Sequence, residues 1–189
     1  MAPSPLPELT EARIQRYGRQ ILLRELGGKG QRALLARPVL LVHGGPALSV
    51  AATYLAAGGS PVELAPGVAV EGFLGGTTLA RFNPDAGPLE GPPWVALGAR
   101  LPLPEAPAQV VARGGVAFAG EDACRACLAL AVEALDAGAP EAVDEVTLGS
   151  LAALTVQRLV LGWSRGTGLV TLAGGVPREL EAPRCAAHR

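Results

Sequence analysis

Val39-Leu40-Leu41-Val42-His43-Gly44-Gly45-Pro46, followed after a helical stretch by Val62-Glu63-Leu64, decides the fold. Pro38 introduces four apolar residues with no polar alternation, the pattern of a short strand buried on both faces. His43 to Pro46 reads as a turn. Leu48 to Ala57 then reads as a helix that is apolar on most sides, stopped by Gly58 and Gly59, and Val62 to Leu64 reads as a second strand. Strand, turn, helix, strand is a βαβ unit, whose crossover is right-handed because only that hand lays the helix back on a right-twisted sheet. The expected fold class is therefore α/β, a Rossmann-like, mostly parallel sheet flanked by helices.

Working outward, Thr10 to Leu23 places Ile14, Tyr17 and Ile21 at helical spacing with arginines between them, and Thr10 suits an N-cap. Gly27 and Gly28 interrupt that pattern before a short helix over Gln31 to Ala36. Residues 1–9, with Pro3, Pro5 and Pro7, form a flexible segment ahead of one domain over 10–189. Downstream, 65–107 is rich in glycine and proline, and only Trp94 to Leu97 resembles a strand. Val110-Val111 with Val116 to Phe118 suggests a hairpin, Ala123 to Ala137 a helix, and Leu148 to Trp163 a buried helix. Leu169 to Leu172 and Arg178 to Leu180 suggest a terminal hairpin.

A chain of 189 residues that is 49% hydrophobic can bury one real core. A formal net charge of -1 supplies no field to draw in nucleic acid or an anionic membrane, so neither is an expected partner. Met1 to Glu11 lacks the basic run and apolar stretch of a signal peptide. No window approaches the roughly 18 apolar residues of a membrane span. The expected localisation is cytoplasmic, where cysteines bind metal or do chemistry more often than they form disulfides.

Arg16-Tyr17-Gly18-Arg19-Gln20-Ile21-Leu22-Leu23, followed by Gly27, Gly30-Gln31 and Leu34-Leu35, resembles the opening of ThiF/MoeB/HesA proteins, relatives of ubiquitin-activating enzymes. Further blocks resemble that family in the same order: Tyr54 to Gly58, Arg81-Phe82-Asn83-Pro84, Cys124 to Leu128, and Gly149-Ser150-Leu151. The resemblance implies an ATP-dependent adenylyltransferase that joins AMP to the C-terminal carboxylate of a ubiquitin-like or sulfur-carrier protein. Fold does not carry function, so the site positions decide.

Those positions are depleted. Where the family has a turn of four glycines after its first strand, this chain has His43, Gly45, Pro46 and Leu48, leaving Gly45 as the remnant. Pro46 removes an amide donor and Leu48 adds bulk where phosphate must approach backbone. Ala65, Pro66 and Gly67 stand where the family places acidic residues for ribose and metal. The interval from Leu64 to Arg81 has room for little more than a turn, where the family carries catalytic Asn, Arg and Lys. Lys29, the only lysine, lies ahead of the first strand. Adenylyl transfer depends on placed cations, so ATP binding is not expected unless Arg81 or Arg100 has moved in.

Two features survive. Arg19 matches the arginine that reaches into the partner's ATP site in family dimers; its plainer reading is a surface arginine on Tyr17 or paired with Glu25. Cys124-x-x-Cys127 matches the family's first zinc pair, and the C-terminal stretch contains Cys185-Ala186-Ala187-His188. Three thiolates and an imidazole complete a tetrahedral structural Zn2+ set; the alternative is an exposed tail with unpaired thiols. All three cysteines are then used, leaving none to accept a thioester. The expected protein is a degenerate, non-catalytic member, a homodimer or a heterodimer partner of an active ThiF-like subunit, with a carrier protein as a further partner. The alternative is a minimal adenylyltransferase. His43 reads as a structural turn residue, Glu121-Asp122 as a solvated loop, and Trp94 and Trp163 as packing.

Overall fold

A computed structural model describes residues 6–70, 79, 83–86, 92–137, 143–173 and 176–188. Its helices are α1 (Glu11–Ile21), α2 (Gly27–Ala36), α3 (Pro46–Ala57), α4 (Arg125–Ala137) and α5 (Glu145–Val160). Its strands are β1 (Val39–Leu41), β2 (Val62–Leu64), β3 (Val95–Gly98), β4 (Ala108–Ala112), β5 (Val116–Ala119), β6 (Thr167–Ala173) and β7 (Val176–Glu181). They form one sheet in the order β2-β1-β3-β4-β5-β6-β7.

The βαβ unit stands as read: β1 and β2 run parallel with Val39 opposite Val62. On its other side β1 pairs in parallel with β3, Val39 opposite Val95. The chain thus leaves β1 in one direction for β2 and in the other for β3, which creates a topological switch point at the carboxyl ends of β1 and β3. The expectation of a mostly parallel sheet needs correction. Among the described strands three pairings are parallel and three antiparallel. The physical reason is connection length: Arg113 to Gly115 joins β4 to β5, and residues 174 and 175 join β6 to β7, both far too short for a parallel crossover.

Strand pleating sorts the core into two layers. Val95, Leu97, Val110, Phe118 and Val170 face α3 and α5. Ala96, Val111, Ala117 and Leu169 face α4 and the extended segment around Leu101 and Leu103. Each fully buried Val or Leu contributes about 1.5–3 kcal/mol, so this double-sided burial dominates the stability. The close approach of α5 to α3 depends on Gly149, where any Cβ would run into the Ala47 carbonyl and Val50.

Helix ends follow capping chemistry more closely than hydrophobic period. Thr10 caps α1, accepting from the Arg13 amide at 3.4 Å. The helix expected from Leu148 begins at Glu145 instead, because the Asp144 carboxylate accepts from Val146 N–H at 3.1 Å and Thr147 N–H at 2.9 Å. It ends before Trp163, which is 51% exposed and so is not the packing residue expected. Trp94 lies at the amino end of β3 with the Arg37 guanidinium 4.2 Å from its ring centre. α2 starts at Gly27 rather than Gln31. Within the interval expected to hold little more than a turn, Leu79 is helical and buried, and its carbonyl accepts from Asn83 N–H at 2.8 Å. Arg81 and Phe82 lie outside the described residues. Of the N-terminal segment, Leu6, Pro7 and Glu8 accept hydrogen bonds through their carbonyls from Arg32 and Arg13.

Candidate metal centre

The sheet topology brings together two distant pieces of chain. β5 ends at Ala119 beside Thr167, the first residue of β6, and β7 ends at Glu181 beside Gly168. The segment after β5 and the segment after β7 therefore leave the sheet at the same end, the end where the parallel strands start. The first carries Cys124 immediately ahead of α4 and Cys127 in its first turn. The second carries Cys185 and then His188, in a 3-10 turn over Ala186–His188.

The ligand atoms of Cys124, Cys127, Cys185 and His188 all lie within 4.8 Å of one another. Cys124 Sγ is 3.7 Å from Cys185 Sγ, Cys127 Sγ is 3.7 Å from His188 Nδ1, and Cys185 Sγ is 3.2 Å from the same nitrogen. A four-coordinate ion with metal–sulfur bonds of about 2.3 Å and a metal–nitrogen bond of about 2.0 Å sets its ligand atoms about 3.5–3.8 Å apart. The two 3.7 Å separations match that spacing and the 3.2 Å one is shorter, whereas a disulfide brings sulfurs to about 2.05 Å. All three cysteines are free thiols. These four residues can hold a metal ion, as the sequence spacing led one to expect.

The surroundings favour thiolate at one corner. Amide donation from Cys127, helped by the Cys185 thiol and the Ala126 amide, lowers the Cys124 pKa against a smaller opposing effect of burial. The Cys185 pKa is raised by burial and then by the neighbouring sulfur of Cys127. The amide of Cys185 in turn donates to Cys127 Sγ at 3.4 Å. An open groove of about 520 Å³ runs beside the cluster, lined by Arg165, Arg184 and Asp122 among others.

At the opposite end of the sheet, among the described residues, the chain's own side chains take up backbone amides. His43, which follows β1, crosses the switch point, and its Nδ1 accepts from Ala99 N–H, just beyond β3, at 3.2 Å. It fits only because Gly98 has no Cβ; one would meet the imidazole and Leu103. Burial, with Arg100 nearby, lowers the His43 pKa, so the neutral acceptor form is favoured. At the start of α3, Gly45 has φ +130, which L side chains rarely adopt, and Pro46 carries no N–H. The first free amide, Ala47 N–H, donates to Glu145 Oε2 at 3.0 Å. A side-chain carboxylate thus sits where a helix N-terminus would otherwise receive a ligand anion. Glu145 carried no signal in the sequence, because its partner is 98 residues away.

A third cluster also went unread. Tyr17 of α1 is buried and its hydroxyl donates to Asp85 Oδ2 at 2.8 Å while accepting from Asn83 Nδ2 at 3.0 Å. Asn83 Nδ2 also donates to the Ala56 carbonyl, and Arg13 pairs with Asp85 at 3.0 Å. Burial, with the Asp85 carboxylate accepting its proton, pushes the Tyr17 phenol up to about 12 despite the Asn83 amide. The two motif blocks containing Tyr17 and Asn83 therefore meet as a latch of α1 onto the end of α3. Arg19 lies on the exposed side of α1, and no ion pair holds it among the described residues; the pairing with Glu25 is not formed. Arg100 is exposed, as are Glu121 and Asp122.

The fold and site define an α/β domain with a Cys/His cluster that could hold a metal ion. No protein-family model matches the chain, and no curated protein matches it significantly. Among the described residues no helix is long and apolar enough to cross a membrane.

Proposed function

We propose that this chain is a non-catalytic member of the ThiF/MoeB/HesA group, serving as a dimer partner or scaffold subunit for an enzyme that activates the C-terminus of a ubiquitin-like or sulfur-carrier protein. The observation that carries this reading is the closed switch point. In open α/β sheets that crevice is where ligands bind, and here it is filled by the chain's own His43 while Glu145 occupies the adjoining helix amide. ATP would have to displace both. The order of the motif blocks from Arg16 to Gly149 supports the family assignment, and the Tyr17–Asn83–Asp85 latch supplies a structural reason for two of those blocks to persist without nucleotide chemistry.

The metal in this reading is zinc, in a closed structural role. Three thiolates and one imidazole suit a borderline-soft ion with no geometric preference of its own, and four protein ligands leave no open position for substrate. The residues would tie β7 and the C-terminal turn to the start of α4. Arg19, exposed and without an ion pair among the described residues, would be the residue that reaches a partner's nucleotide.

The test is ATP–pyrophosphate exchange with candidate carrier proteins, run on metal-analysed protein. We expect about one zinc per chain and no exchange. Exchange abolished by Arg100→Ala would instead establish a rebuilt adenylyltransferase site. In any complex recovered from the native host, Arg19→Ala should lower the partner's activity; unchanged activity removes the lent-arginine role.

A further inference from the structure

Cys124 and Cys185 stand 61 residues apart in the chain, yet their Sγ atoms lie 3.7 Å apart. Both are half-buried, whereas Cys127 is 6% exposed. Cys124 lines the open groove beside the cluster, so a small solute reaches its sulfur without any unfolding. Cys185 lies between β7 and the final 3-10 turn, on a segment that belongs to no strand and can therefore shift. Drawing the two sulfurs to the separation of a disulfide requires a closure of less than about 2 Å.

We infer that the cluster is also an oxidation site, at which a peroxide-class oxidant entering the groove joins Cys124 to Cys185, so that a covalent bond takes over the fastening of the C-terminal turn to α4. The Cys124 thiolate attacks one peroxide oxygen, forming an S–O bond as the O–O bond breaks and hydroxide leaves. The Cys185 thiolate then attacks the Cys124 sulfur, forming the S–S bond as the second hydroxide leaves. The two thiolates give up two electrons, and hydrogen peroxide takes them to become two hydroxides. Cys127 and His188 are left as two of the four ligands of a structural zinc site, too few to keep the ion. A small thiol reduces the bond and restores the set. The release of metal rests on the zinc reading above; the disulfide does not.

The test takes the full chain, reduced and analysed for metal, treats it with hydrogen peroxide and digests it with trypsin without reductant. Cleavage after Arg125 separates Cys124 from Cys127, so mass spectrometry of the peptides tells the possible bridges apart. The expected product is a linked Cys124–Cys185 peptide pair, with about one zinc per chain released to a chromogenic chelator and both changes reversed by dithiothreitol. Cys127→Ser, which breaks the metal set but keeps the pair, should form the same bridge. A bridge formed by wild type that carried no zinc would support the disulfide and sink the zinc reading. A wild type that links Cys124 to Cys127 instead, or whose Cys124 stays unmodified or goes to sulfonic acid with no bridge, overturns the inference.

Discussion

The two ends of the sheet use side chains in opposite ways. At the carboxyl end of β1 and β3, His43 and Glu145 turn inward and spend their acceptors on the chain's own amides. At the amino end, three thiols and an imidazole converge on a common point that the protein itself does not fill. One end has consumed its capacity to bind a ligand and the other has assembled one. An α/β fold ordinarily places its chemistry at the carboxyl end, and the function proposed above rests on this contrast.

Breaking the clasp should have the largest effect. Chelation, or Cys127→Ser, would remove the proposed ion, and a metal that binds only the native state and is present at about 1,000 times its Kd contributes about 4 kcal/mol. Thermal unfolding with and without chelator would measure it; a metal-independent Tm would show that the cluster is only a set of neighbouring thiols. Next comes Gly149→Val, which drives α5 off α3 and pulls Glu145 from Ala47 N–H. Overpacking at such a contact costs about 1–3 kcal/mol by urea denaturation, and a neutral result would mean the two helices slide freely.

Smaller effects sharpen the carboxyl end. The folded-state pKa of His43 is lowered, so the unfolded chain takes up the proton first as pH falls. Its contribution is present in full above about pH 6.5 and is lost as pH drops below that value through the folded pKa. Comparing wild type with His43→Gln between pH 7.5 and 5, the variant should lack that slope; after solvent screening the difference is under about 1 kcal/mol. Smallest is Glu145→Gln, which keeps an acceptor but loses the charge at the start of α3, at a cost of about 0.5–1 kcal/mol. Equal stability in low and high salt for this pair would show that the charge plays no part there.

The sequence made the βαβ unit legible because its strands are continuous apolar runs bounded by proline and glycine, signals that lie within a few residues of the element they define. The same holds for the Thr10 cap and the two hairpins. The metal ligands were legible as two short spacings, although only the sheet, by ending β5 and β7 side by side, brings the pairs together. What could not be read were contacts whose partners are remote in sequence and ordinary in type. Glu145 and Asp85 carried no signal, and Tyr17 and Asn83 were read only as parts of two separate motif blocks, with nothing to show that they meet. The antiparallel half of the sheet was underestimated because each hairpin was read by itself, whereas β5 pairs with β6 across a long stretch of intervening chain and so joins both hairpins to the parallel strands. Trp163 misled for the reverse reason: its hydrophobicity suggested burial, but α5 stops short of it.

The closed carboxyl end is tested most directly by calorimetric titration of the zinc-loaded chain with magnesium ATP. No saturable binding should be seen up to millimolar nucleotide. A Kd at or below about 100 μM, weakened by substitutions around Gly45 and Ala47, would contradict the account.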